Sequence, residues 1–262
     1  GAYYRAVGTK TNTGSIYILT DGTAWSTNPI ITVSNIQSPP IEIPILMYHN
    51  IDVEAKSQYW VALSDFTEQM DYLAFAGYHP ISLSDIINYI NTGAPLPSKP
   101  IVLTFDEGYK NFYDKAYPVL LSHGFKATNF LITNFIGNSN SDRKTNTWDP
   151  DPLELSFNNP HLIWPEVLQM AQHNIEFHSH SKTHPYLTGL NQTHLNDEIL
   201  TSKNVIISKL GSCNFFSYPF GDLNSTVVNT VAANGHLGAL DIDHQQGIFL
   251  IPKHPTGLKW ND

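Results

Sequence analysis

From residue 43 onward, short runs rich in apolar residues alternate with longer stretches in which apolar residues recur every three or four positions. The runs IPILMY (43–48), IVLTF (101–105), KATNFLIT (126–133), IEF (175–177) and FFS (215–217) read as buried strands, with LGAL (237–240) and GIFLI (247–251) as late ones. SDFTEQMDYLAFAG (64–77) puts Phe66, Met70, Leu73 and Ala74 on one helical face and stops at Gly77. SLSDIINYINTG (82–93) opens with Ser82 and Asp85 at capping-box spacing and stops at Gly93. YKNFYDKAYPVLLSHG (109–124) predicts a helix ending at Gly124, kinked or divided by Pro118. Three more helices are expected over 164–174, over 194–211 with Thr193 as cap, and over 224–235 between Asn224 and Gly235.

This alternation argues for βα units and a parallel sheet, and the number of units favours closure into a barrel. In such barrels chemistry gathers where strands end. The reactive residues obey that rule: His49 ends IPILMYH, Asp106 and Glu107 end IVLTFDE, the histidines 178–184 follow IEF, and YPFG follows FFS. Residues 1–42 read differently. SIYILTDGTAWS and IITVS are β-like runs, and QSPPIEIP reads as a linker. We take 1–42 as a β-rich appendage and linker and 43–262 as the catalytic domain; the alternative is that the early runs add strands to the main domain. A polar insert spans residues 134–160, a length that in a compact domain is functional or mobile.

Composition narrows the partners. At 41% hydrophobic and 14% charged, the 262 residues suit a folded domain with a sizeable core. A net charge of −9 with 14 Lys+Arg argues against a nucleic-acid partner, which needs a basic face. No apolar run approaches the roughly 18 residues of a membrane span. The single cysteine, Cys213, rules out an internal disulfide. The chain starts at Gly1, so a removed signal peptide and a secreted or cell-surface location are the expectation. Oligomeric state is left open.

FHSHSKTHPYL (177–187) crowds three histidines together. His180 and His184 are four apart, but Pro185 disfavours helix at His184, so a loop or single turn is expected. Two imidazoles and a carboxylate make a three-ligand site with a position open to water, the usual arrangement of catalytic zinc. A polar loop with incidental histidines is the plain alternative. The adjacent pair Asp106-Glu107 strengthens the metal reading, since the following Gly108 permits a sharp turn that brings both acids to one pocket. One acid would bind the metal and the other take a proton from water.

LTFDEGY, SHSKTH and YPFG, in that order, resemble the first three motifs of the polysaccharide deacetylases, the NodB-homology carbohydrate esterases. PILMYHNI, LAFAGYHPISLSDIINYI and FKATNFLI extend the resemblance over about residues 43–255. It implies a deformed (β/α) barrel that uses a divalent metal, zinc in the first instance, to remove N-acetyl groups from N-acetylglucosamine polymers. By motif position Asp106 is the catalytic base, Glu107, His180 and His184 are the metal ligands, and the Phe220 N–H is an oxyanion donor. His49 matches the histidine of the branch opening P-x-L-x-Y-H and is the first candidate general acid, with His254 the second. Four departures stand out: Glu107 where the family has aspartate, Ser217 where arginine is common, IPKHP with Lys253 and His254 in place of a clear final motif, and His178 where a small residue is usual. Trp60 and Trp148 are candidate sugar platforms. The alternative function is a catalytically impaired, metal-containing carbohydrate-binding protein, motivated by Glu107 and Ser217. Poly-N-acetylglucosamine and peptidoglycan lead the candidate substrates, with chitin and acetylxylan behind.

Overall fold

The structure is a computed structural model and describes residues 4–5, 15–18, 43–55, 59–146 and 159–241. In chain order its strands are β1 (Tyr4–Arg5), β2 (Ser15–Ile18), β3 (Ile45–Tyr48), β4 (Asn50–Asp52), β5 (Trp60–Ala62), β6 (His79–Ile81), β7 (Pro100–Phe105), β8 (Ala127–Leu131), β9 (Thr145–Asn146), β10 (Asn159–Pro160), β11 (Ile175–Ser179), β12 (Phe215–Ser217) and β13 (Gly238–Asp241). The helices are α1 (Leu63–Phe75), α2 (Leu83–Thr92), α3 (Tyr117–His123), α4 (Trp164–Ala171), α5 (Gln192–Leu210) and α6 (Ser225–Ala233). The chain forms two compact units, and β11 contributes residues to each.

One unit comprises Leu46–Leu131 and Phe135–Phe177 among the described residues. Its sheet runs β3-β7-β8-β11, with β6 parallel to the first half of β7. Every residue of β7 and β8 is buried, which is why β7 reads as a near-continuous apolar run, while β8 also buries Thr128 and Asn129. The Asp106 N–H donates to the Tyr48 carbonyl at 2.9 Å, which ties the ends of β3 and β7 together. Helix α2 has the expected capping box: Ser82 Oγ accepts from the Asp85 N–H and the Asp85 carboxylate accepts from the Ser82 N–H. The expected division at Pro118 is present. A π-helical turn over Phe112–Ala116 passes into α3, and Pro118 sits in the first turn of α3, where its missing N–H costs least. The short parallel pair β4–β5 and strand β6 carry too few apolar residues to have announced themselves.

The other unit holds Ile132–Asn134 and the described parts of Gly1–Ile45 and His178–Gly247. Here the end of β11 pairs with β12 at Ser179↔Phe216, β12 lies parallel to β13, and β2 adds antiparallel to β13 with β1 beyond it. Leu187, Leu195, Ile199, Phe216, Tyr218, Val227, Val228, Val231 and Ala239 form its core. Burying each large side chain contributes about 1.5–3 kcal/mol before the cost of ordering it. Helix α5 begins two residues earlier than Thr193 would allow, because the Asn191 side chain caps it by accepting the His194 N–H at 3.0 Å. Asn224 caps α6 as expected. The run 247–251 lies outside the described residues.

Candidate metal centre

Asp106 and Glu107 leave the end of β7 through a tight turn. Glu107 takes φ 76° and Gly108 φ 73°, two successive left-handed residues. A side chain at 108 would be strained by the left-handed backbone, and its Cβ, 2.9 Å from Leu131 Cδ2 and 3.2 Å from Ile136 Cδ1, would force those side chains to shift. Both acids are buried. His161 Nδ1 lies 3.1 Å from the Glu107 carbonyl and donates to it, while the Tyr109 and Phe135 rings each lie 5.0 Å from its own. His161 was not singled out from sequence. His49 sits between β3 and β4, half-buried, with its ring 5.6 Å from that of Tyr59. It is thus one residue from the Tyr48 carbonyl that holds Asp106.

The histidine loop is held more elaborately. Ser181 and His184 both take positive φ, 65° and 64°, so the segment is a bent loop and not a helix. Ser181 Oγ accepts the His184 N–H at 2.9 Å, and Ser179 Oγ accepts the Ser181 N–H at 3.2 Å. Glu198, buried on α5, accepts from the Lys182 N–H, the Thr183 N–H and the Thr183 hydroxyl at 3.0, 2.8 and 2.6 Å. The Thr133 and Asn134 N–H groups donate to the Ser181 and Lys182 carbonyls. His180 Nδ1 donates to the Ser217 carbonyl at 2.8 Å, which leaves Nε2 to carry the lone pair. That Nε2 faces His184 Nε2 at 3.1 Å.

The three motif ligands, Glu107, His180 and His184, are each buried. Two nitrogens bound tetrahedrally to one zinc at about 2.0–2.1 Å would stand about 3.3 Å apart. The imidazole spacing therefore suits a shared ion, and the donor set of two nitrogens and a carboxylate suits zinc or a similar divalent metal. His178 is not part of this group. It stays in β11, its ring edge-on to Phe215 at 4.9 Å and its Nδ1 accepting the Asn214 N–H, so it supports the sheet.

Phe220 has φ 58° in the turn after β12, where the Gly221 and Asp222 N–H groups donate to the Tyr218 and Pro219 carbonyls. Glu107, Ser181, His184 and Phe220 are thus all non-glycine residues in the left-handed region, each costing about 1–3 kcal/mol. Such conformations persist where the surroundings impose them, and they gather at functional positions. Trp60 is buried in β5, so it offers no face to a sugar. His254 and Trp148 lie outside the described residues. No helix among the described residues is long and apolar enough to cross a membrane.

Comparison with known proteins agrees with the motifs. A profile of the polysaccharide deacetylase family matches residues 93–238. A Bacillus subtilis (strain 168) protein named after that family, YxkH, is 28% identical over 198 residues, 75% of this chain and 63% of its own length. The poly-β-1,6-N-acetyl-D-glucosamine N-deacetylase of Escherichia coli (strain K12) is 29% identical over 151 residues, 56% of this chain and 22% of that protein. The chain therefore spans less than two thirds of either relative. The Streptococcus pyogenes deacetylase PplD, solved in complex with acetate, matches with a TM-score of 0.64 at 25% identity, covering 76% of this chain and 82% of that one. The fold is accordingly the α/β, deformed (β/α) barrel type of those deacetylases. Since the profile covers more than half of the 262 residues, and three motifs stand in its order at strand ends, the chain belongs to the polysaccharide deacetylase family.

Proposed function

We propose that this chain is a metal-dependent hydrolase that removes N-acetyl groups from an N-acetylglucosamine polymer, poly-β-1,6-N-acetylglucosamine or peptidoglycan first among them. The observation that carries this reading is the pair of buried imidazoles, His180 and His184, whose Nε2 atoms lie 3.1 Å apart, together with the buried acids Asp106 and Glu107 at the end of β7. The E. coli relative is named for deacetylation of such a polymer, and the S. pyogenes relative was solved with acetate, the acid such a reaction releases. A divalent metal held by Glu107, His180 and His184 would supply Lewis-acid chemistry, polarising the acetyl carbonyl and lowering the pKa of water towards about 7.

The chain's own residues do the rest. Asp106 takes the proton from the attacking water. The Phe220 N–H donates to the carbonyl oxygen as negative charge builds there; one such donor is worth about 3–4 kcal/mol of barrier. His49 delivers a proton to the leaving nitrogen as the C–N bond breaks, with His254 the second candidate for that role. Acetate and a free glucosamine amine result. The polymers in question lie outside the cytoplasm, so the enzyme acts at or beyond the cell surface.

The test is acetate release from poly-β-1,6-N-acetylglucosamine, peptidoglycan, chitin and acetylxylan, each with and without EDTA. Release from the first or second that EDTA abolishes, and that Asp106→Asn abolishes with metal still bound, supports the reading. Bound metal and bound polymer without acetate would favour the carbohydrate-binding alternative, for which Glu107 and Ser217 are the motive.

A further inference from the structure

Beside the histidine site an aromatic ladder leads outward to solvent. His184 meets the Phe220 ring edge-on, centroids 4.4 Å apart at 60°. Phe220 in turn lies almost parallel to Tyr186, at 4.2 Å and 15°. Tyr186 is 63% exposed, so with one face on Phe220 the other is left to water. The arrangement is braced. Thr188, two residues after Tyr186, donates its N–H and hydroxyl to Asp222, two residues after Phe220, at 2.7 and 2.8 Å. Between them Leu187 is fully buried in the core formed with Phe216 and Tyr218.

Beyond its stack on Phe220, the Tyr186 ring adds nothing to the fold through its outward face. It does offer a flat, electron-rich face whose ordering cost is already met. A pyranose ring presents C–H bonds on one face, weakly positive at hydrogen, and these match the negative face of an aromatic ring. Poly-N-acetylglucosamine carries no charge for an acidic chain to grip, so stacking on an aromatic face adds to hydrogen bonding as a contact open to it.

We infer that Tyr186 is the floor of a sugar subsite beside the metal centre, stacking on a pyranose one unit along from the acetamido group that is hydrolysed. Only the identity of the polymer rests on the deacetylase reading; the platform itself rests on the ladder and its brace. It makes Tyr186, rather than Trp60, the residue that distinguishes a chain of sugars from a single one.

The experiment measures affinity by calorimetry for N-acetylglucosamine and for its β-1,6-linked and β-1,4-linked pentasaccharides, using the Asp106→Asn variant so that no ligand is consumed. Wild-type acetate release is followed separately. The pentasaccharide of the preferred linkage should bind tighter than the monosaccharide. Tyr186→Ala in that background should weaken pentasaccharide binding about tenfold, Tyr186→Trp should keep it, and Asp222→Ala should fall between. Unchanged pentasaccharide affinity in Tyr186→Ala, or no pentasaccharide binding at all, overturns the platform. Loss of affinity in Tyr186→Ala without acetate release by the wild type keeps the platform and removes the deacetylase reading.

Discussion

His180 Nδ1 donates to the backbone carbonyl of Ser217 across 2.8 Å. The bond selects one tautomer and one ring orientation, so Nε2 is both bare and aimed at His184 Nε2. Because the acceptor is a carbonyl, the requirement at position 217 is met by the register of β12 and not by its side chain. Serine where arginine is common therefore leaves His180 correctly held. Zinc titration by calorimetry should find Ser217→Ala within about threefold of wild type, and His180→Ala weakened at least about tenfold.

The glutamate at 107 carries one more methylene than the family's usual aspartate, and its backbone sits at φ 76°. Aspartate is better tolerated there than glutamate. Glu107→Asp should retain zinc with a loss under about tenfold and no loss of fold stability, whereas Glu107→Gln, which removes the charge, should lose at least about tenfold. Competition with a chromogenic chelator reads both. Equal affinity in wild type and Glu107→Gln would remove Glu107 from the ligand set.

Gly108 carries the turn that presents both acids. Alanine there must adopt a left-handed backbone and press its Cβ into Leu131 and Ile136. The two penalties together should cost about 2–4 kcal/mol. A urea midpoint unchanged from wild type would mean that the turn can open without consequence.

Strand and helix positions were legible where one letter-level rule dominated. Residues 101–105 are apolar but for Thr104, Ser82 and Asp85 match a cap, and Pro118 cannot donate; all three readings hold. Thr193 failed as a cap because Asn191, two residues earlier, already starts the helix by accepting the His194 N–H. The motif residues were visible as types at strand ends. Their support was not. Positive φ at Glu107, Ser181, His184 and Phe220 leaves no mark in non-glycine letters. Glu198 reaches Thr183 from 15 positions away, and His161 reaches Glu107 from 54. Contacts of that separation depend on the finished fold, and spacing rules cannot carry them.

His236 is fully buried, and burial, with Lys203 and His178 nearby, pushes its pKa well below the usual histidine value. In the unfolded chain it would take up a proton near pH 6.5. In the fold it resists, so the unfolded state binds more protons and stability falls as pH drops below about 6.5, by up to about 1.4 kcal/mol per pH unit from this group. Urea midpoints at pH 7.5 and 5.5 should differ more for wild type than for His236→Gln. Identical pH slopes would show that acid sensitivity arises elsewhere.

Glu198 is the hinge pin of the histidine loop, since one carboxylate accepts two backbone N–H groups and one hydroxyl from consecutive residues just before His184. Hydrogen bonds to a charged group are worth about 1.5–3 kcal/mol net, and alanine would leave all three donors to find water or go unmet. Glu198→Ala should therefore lose about 2–3 kcal/mol of stability. If the bonds also hold His184 in place, zinc affinity should drop about tenfold with it, and Glu198→Gln, which keeps one acceptor oxygen, should fall between. The two readouts separate two roles. Stability lost with affinity intact would mean that Ser181 Oγ and the Thr133 N–H suffice to pose the histidines. Affinity lost with stability nearly intact would mean that the carboxylate acts on the metal site itself, by fixing a strained loop that the rest of the fold does not require.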